Sequence, residues 1–398
     1  MENTLPTPIA ETPGHGVNNL AAGASFVPRP KMGLTSLDAV AYTAQQQEMH
    51  GHGGAQGCRG PSCIPGELSR EVLRNLARSS ITTVEELLGL ADVDRRLATE
   101  FAAELGISAS TLSSLRSNYV RTETGSAEIH DWERFGRYEY ALGFDLGEGG
   151  EPVEHEHGPG AAAPENVHPG GVNLADACLP PVRDQQERGT CTAFASVACL
   201  EHHLCRTTGS AQRLSEQFQY WNMVERSGRH SLAACFPMLA TDGVCRGATW
   251  EYSGKPIVGN DAQGPPPSGA VAEAGGYRCD GVLRLPPRSV PAIQQALHDD
   301  HLVAVGFPVY RSWLHNPVVR KYGNITLPIP GEIPEIHGHA VALVGFGDDS
   351  DFAGGGFFVV RNSWNHRWGT GSVFGSGYGT LPYSYIARLN WDAWCISG

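Results

Sequence analysis

The chain has 398 residues, of which 41% are hydrophobic and 18% charged, enough apolar content for folded domains and too much for wholesale disorder. A formal net charge of -13 argues against a polyanion such as DNA or RNA as the main partner. No run approaches the ~18 apolar residues of a membrane span, and the N-terminus lacks a basic-then-apolar signal. The expectation is therefore a cytoplasmic protein with no membrane partner, unconventional export left open.

Residues 1–62 are rich in Gly, Pro, Ala, Gln and His without periodicity and read as a flexible leader. His50 and His52, like His155 and His157 further on, lack convergent ligands at fixed spacing and read as solvated loop residues; no metal is implied. Cys58 and Cys63 form a lone C-x4-C with no second pair of ligands nearby, which does not make a zinc site.

Residues 63–125 turn helical, predicting a small all-α module. Thr82-Thr83-Val84-Glu85-Glu86 offers two overlapping capping boxes ahead of Leu87, Leu88 and Leu90. Leu97, Phe101, Ala102 and Leu105 follow at helix spacing, Gly106 suits the position after a helix end, and Ser108–Thr111 restarts a helix. The short helices resemble helix-hairpin-helix modules, some of which bind nucleic acid backbone. Acids at Glu85, Glu86, Asp92, Asp94 and Glu100 speak against that here, leaving a structural module or one with a protein partner. Residues 126–170 read as a linker or pro-region; from 147 they are Gly, Pro, Ala and Glu with almost no large apolar side chains.

Beyond 170 aromatic and aliphatic density rises. Helical patterns at 191–205 and 289–300 precede β-type runs at 302–307, 340–345 and 356–361, an order that predicts an α+β domain. Cys191 stands at the start of the first helix, where free N–H groups and the helix dipole favour a thiolate. The backbone N–H of Cys191 and the side-chain amide of Gln185, on a turn six residues earlier, are candidate donors to an oxyanion. His339 opens an apolar strand and is the candidate proton acceptor. Asn362, just after another strand, offers a carbonyl to fix its tautomer, with Trp364 shielding that bond. His337 and His366 read as rim residues, and Trp364 and Trp368 as walls of the cleft. The remaining alternatives for Cys191 and His339 are a buried core thiol and a satisfied core histidine.

These segments resemble the papain-like peptidases: Gln185 six residues before Cys191, then Ala193-Phe194; later His339-Ala340-Val341; then Asn362-Ser363-Trp364 before Trp368-Gly369. The resemblance spans about 171–398 and includes Val172-Asn173-Leu174 at the domain opening, Glu201 and Leu214–Gln217 as buried structural acids and their helix, and Gly377–Tyr383 as a turn-and-strand tail. It implies a two-lobed fold, helical on the left and β-rich on the right. It also implies a cysteine-type peptidase that takes peptide or protein substrates through an acyl-enzyme thioester, without cofactors. Alternatives are a papain-fold acyltransferase or amide ligase, or a silent peptide-binding module. Arg188 replaces a cysteine and Thr192 an aromatic residue of the family pattern, so the family's disulfide at that loop is absent, which suits a reducing compartment. Cys199, Cys205, Cys235, Cys245 and Cys279 then read as core or loop thiols. Lysine is scarce, with Lys31, Lys255 and Lys321 alone among 29 basic residues, which points to the bacterial branch.

Such enzymes imply a zymogen with a covered cleft. The long-helix signature of a pro-region is not found before 170. Tyr138–Phe144 and the acidic linker are instead expected near the cleft, with cleavage around 147–170 releasing the mature enzyme.

Overall fold

The computed structural model describes residues 27–42, 68–93, 95–120, 142–144, 170–176 and 178–397. The histidines at 50, 52, 155 and 157, the Cys58–Cys63 pair and nearly all of the expected cleavage region lie outside these residues. Two apolar cores are present, one for the N-terminal module and one for the domain that follows it.

The module consists of helices α1 (Arg70–Arg78), α2 (Val84–Val93), α3 (Arg95–Glu104) and α4 (Ala109–Val120). One of the two overlapping capping boxes forms: Glu86 N–H donates to Thr83 Oγ1 at 3.2 Å, and Thr83 N–H donates back to Glu86 Oε2 at 3.1 Å. Glu85 instead accepts the N–H of Thr35 at 2.9 Å. Both acids are buried, so they hold the chain rather than charge the surface, and the argument they gave against a polyanion does not apply to them. Gly106 takes a positive φ of 76°, and Ile107 N–H returns to Ala102 O at 2.7 Å, ending α3 as predicted. Residues 27–42 differ from the expected leader. They pack on the module, with Leu37 and Ala41 in its core and Lys31 buried.

The larger domain pairs a helical lobe with a seven-stranded antiparallel sheet, the mixed α+β, papain-like architecture expected. Its helical lobe holds α5 (Cys191–Thr208), α6 (Glu216–Ser227), α7 (Leu232–Thr241) and the short α8 (Ala270–Ala274). The strands are β1 (Gly171–Asn173), β2 (Gly281–Arg284), β3 (Val303–Phe307), β4 (His339–Asp348), β5 (Gly356–Arg361), β6 (Tyr378–Pro382) and β7 (Asp392–Ser397). Spatial order is β2-β7-β3-β4-β5-β6, with β1 also on β4. The sheet lobe carries α9 (Val290–His298), α10 (Arg311–Leu314), α11 (Pro317–Tyr322) and α12 (Tyr383–Leu389). Strand β4 is buried along nine of its ten residues, which accounts for its unbroken apolar run.

One expectation about cysteines is overturned. Cys178 and Cys205 form a disulfide, Cα–Cα 5.4 Å, so Cys205 is not a free core thiol. The bridge ties the turn after β1 to the last part of α5. The other cysteines beyond residue 170 are free and buried, which agrees with the reading of Cys199, Cys235, Cys245 and Cys279 as core or loop thiols.

Candidate active site

Helix α5 begins at Cys191 and is buried along its first twelve residues, so the nucleophile candidate sits where the lobes meet. Thr190 is its N-cap residue but makes no side-chain cap bond, which leaves N–H groups of the first turn available. The backbone N–H groups of Ala340, Gly143, Thr192 and Cys191 lie against the thiol. Ala340 adjoins His339, so the fold brings the candidate nucleophile and base together.

The imidazole is fixed from two sides. His339 Nε2–H donates to Asn362 Oδ1 at 2.8 Å, which places the free lone pair on Nδ1, a buried atom with no protein partner. Asn362 Oδ1 also accepts Ser363 N–H at 2.8 Å, so its amide orientation is set by the backbone. The Trp364 ring stacks on the imidazole at 4.5 Å and 23°, and Trp313 meets it edge-on at 5.8 Å. Trp368 stands against Trp364 at 6.1 Å. Such an aromatic wall keeps water from the His339–Asn362 bond.

Gln185 is held at both ends of its amide. Oε1 accepts from Ser363 Oγ at 2.5 Å and Nε2 donates to Arg188 O at 3.0 Å, aided by Gln185 N–H to Ser363 O at 2.8 Å. Its own carbonyl accepts from Tyr252 OH at 2.8 Å. The loop carrying it is pinned by Arg188, the residue in place of the family cysteine. Arg188 donates to Gln217 Oε1, Ser253 O and Asp261 O at 2.7–2.8 Å, and its guanidinium lies over the rings of Tyr220 and Tyr252. Beneath the loop, Arg183 grips Glu201 through two 2.8 Å bonds and also pairs with Glu216. Burial works against that charge, but Glu216 and Glu201 beside it hold the guanidinium above its ordinary value.

All four candidates therefore converge, yet Cys191, His339 and Gln185 are each 0% exposed. The cover is residues 142–144. Phe144 and Gly338 exchange N–H···O bonds of 3.1 Å each, and the Phe144 ring lies on Gly306, where a Cβ would stand 2.3 Å from it. On the other lobe Gly143 lies on Gly189, where its own Cβ would be 2.0 Å from the carbonyl oxygen. This strap spans from the nucleophile's loop to the strand of the base. Burial pushes the Cys191 thiol up to about 11, partly opposed by the Ala340 and Gly143 N–H groups. Burial likewise lowers His339 to about 4, with the Asn362 bond acting the other way.

His337 and His366 are exposed at the rim, as expected. Sequence reasoning missed Trp313, Ser363 and Tyr252. Ser363 stood inside a quoted motif and was legible; Trp313 and Tyr252 carried no signal of spacing.

Fold and site together define a cleft built on a helix-start cysteine faced by a strand-borne histidine and its asparagine. The sequence profile of the family described as "Papain family cysteine protease" matches residues 169–379. The chain belongs to that family. It is 26% identical to the cathepsin B-like CP3 of Giardia intestinalis over 50% of this chain and 64% of that one, and 29% identical to the cathepsin K of Gallus gallus over 48% and 52%. The chain thus spans less than two thirds of the length of these curated relatives. Among solved structures it is similar to xylellain, a cysteine protease from Xylella fastidiosa, with TM-score 0.50 and 26% identity, covering 57% of this chain and 86% of that one.

Proposed function

We propose that the protein is a cysteine-type peptidase made as a zymogen, acting on peptide or protein substrates. The observation that carries this is the His339–Asn362 bond beneath Trp364, which presents an unpartnered Nδ1 beside the start of α5. Once the cleft opens, the Cys191 thiolate attacks the scissile carbonyl carbon. The oxyanion is received by the Cys191 N–H and the Gln185 amide. Collapse expels the amine, protonated by His339, and leaves a thioester. Water deprotonated by His339 then attacks, releasing the acid and restoring the thiol. Each role in this sequence has a candidate among Cys191, His339, Asn362 and Gln185, and no feature of the described residues favours an acyltransferase, an amide ligase or a silent binder.

The strap at 142–144 supports the zymogen reading, because it occupies the position a peptide would take across both lobes. The reading divides the chain into a helical module at 63–125, joined by residues 27–42, a linker or pro-region at 126–170 and a peptidase domain at 171–398. Scarcity of lysine favours the bacterial branch, whereas the curated relatives reported above are eukaryotic and the bacterial likeness is to the Xylella structure. The Cys178–Cys205 bridge favours an oxidising compartment over the cytoplasmic one expected from the sequence.

The test compares full-length wild type with Cys191→Ala by intact mass after incubation and by digestion of an unfolded protein. Wild type is expected to shorten within 145–169 and to digest the substrate, and Cys191→Ala to do neither. Equal behaviour of the two proteins refutes the proposal.

A further inference from the structure

The seam between the helical module and the peptidase domain is built like an interior. Lys31 is 5% exposed, and its ammonium donates to partners on both sides of the seam. Ser80 O (2.7 Å), Thr82 Oγ1 (3.0 Å) and the Glu86 carboxylate (2.9 Å) belong to the module, while Asp351 O (3.0 Å) and the Phe352 ring belong to the peptidase domain. Ser80 Oγ accepts Ala353 N–H at 2.7 Å and Ser79 O accepts Leu327 N–H at 3.1 Å. Ile329, from the peptidase domain, lies in the module's apolar core. Gly89 of α2 abuts α11 so closely that a Cβ there would stand 2.5 Å from Asn316 Oδ1 and 2.7 Å from Val318 Cγ2. Parting the two sides keeps the Lys31–Glu86 pair within the module but strips the buried ammonium of Asp351 O and of the Phe352 ring, contacts that only the docked domain supplies.

The peptidase residues held at this seam lead directly to the base. Residues 325–338 start at the module, where Leu327 and Ile329 are fixed. They continue through Glu332, whose carboxylate accepts the N–H groups of Ser312 (2.6 Å) and Ile329 (3.1 Å). Glu335 N–H then bonds Val309 O at 2.8 Å, and the segment ends on Gly338 beside His339. The strap, by contrast, touches the cleft and not the seam.

We propose that the module, with residues 27–42, is a permanent non-covalent subunit of the mature enzyme. When the chain is cut on either side of the strap, the strap leaves and the module stays, holding the 325–338 segment that positions His339. The activity half of this inference rests on the peptidase reading above; the association half does not.

The experiment places sites for a specific exogenous protease at 121–141 and at 145–169 in the full chain, first carrying Cys191→Ala so that self-cleavage plays no part. After cutting, gel filtration and native mass at about micromolar concentration are expected to show the two large fragments as one 1:1 complex. Separate elution of the wild-type seam overturns the proposal whatever the protein's activity. Lys31→Met, and independently Gly89→Leu at the far end of the seam, are each expected to let the cut fragments separate, with the uncut variants folded by circular dichroism. Retained association in both overturns the assigned seam. With Cys191 present, cut wild type is expected to keep kcat/KM through gel filtration, while the cut variants lose at least tenfold as the module departs. Unchanged kcat/KM in a peptidase fragment freed of its module overturns the positioning role.

Discussion

Gly143→Val should uncover the nucleophile without unfolding the protein. A Cβ at 143 meets the carbonyl oxygen of Gly189 at 2.0 Å and its Cα at 2.3 Å, and both are backbone atoms that cannot swing aside. The strap must therefore lift and lose its two bonds to Gly338. Each contributes about 0.5–1.5 kcal/mol, so about 1–3 kcal/mol of hold is lost. At 1.4 kcal/mol per tenfold, opening rises about 5- to 150-fold, and displacement of Phe144 from its bed adds to this. The assay is the initial rate of alkylation by iodoacetamide, read site by site by peptide mass before any processing. The buried thiols Cys199, Cys235, Cys245, Cys279 and Cys395 serve as internal controls, because only global opening exposes them. Cys191 is expected to accelerate alone. Unchanged labelling of Cys191, or all six thiols accelerating together, refutes the strap as the cover.

Arg188→Met should cost about 3–5 kcal/mol, because it strands the acceptors Gln217 Oε1, Ser253 O and Asp261 O in the interior. At about 2–4 °C per kcal/mol the thermal midpoint falls by about 6–20 °C, and the loosened Gln185 lowers kcat more than it raises KM. Cys178→Ser removes a bridge between residues 27 apart, costs about 2–4 kcal/mol by denaturant titration and leaves kcat near wild type, since the bridge closes far from Cys191. His339 and His202, both lowered to about 4 chiefly by burial, stay neutral in the folded chain while the unfolded chain takes up protons below about 6.5. Their contribution to the stability of the full chain is therefore complete above about pH 6.5 and lost as pH falls toward 4; a thermal midpoint flat across that window refutes the assignment. Alkylation of Cys191 in the covered chain should climb with pH toward about 11, and a plateau near neutrality would show a thiolate already present.

Chemistry was more legible in the sequence than cover. Cys191, His339 and Asn362 are each tied to an element boundary, a helix start or a strand end, and boundaries leave local signals in the order of residues. The helices at 191–208 and 290–298 and the strands from 303, 339 and 356 were legible for the same reason, since long apolar patterns record burial. What was not legible depends on which distant residues meet. Glu85 and Glu86 look like surface charge until Thr35 and Lys31 are folded onto them. Residues 27–42 carry one short helical turn, Leu37, Val40 and Ala41, too brief to stand out as a periodic run, yet it suffices once α1 and α2 supply the other wall of the core. Cys178 and Cys205 gave no sign of pairing, because nothing local brings the turn after β1 to the end of α5.

The strap controls more than access. A thiolate–imidazolium pair requires the histidine to hold a proton more firmly than the cysteine does, and the covered site has the opposite order, with the thiol near 11 and the imidazole near 4. Burial is the leading cause of both shifts, and it penalises whichever form is charged. Lifting residues 142–144 withdraws the Gly143 N–H that favours the thiolate but admits water, and since burial is the larger cause the two values draw toward each other, with the Cys191 and Thr192 N–H groups still beside the sulfur. Exclusion of substrate and suppression of the nucleophile thus share one physical origin. A reagent small enough to slip past the strap still meets a neutral thiol, so in the full chain iodoacetamide should be held back as well as any peptidyl electrophile. Rapid alkylation by the small reagent alone would separate the two functions and reduce the strap to a steric plug.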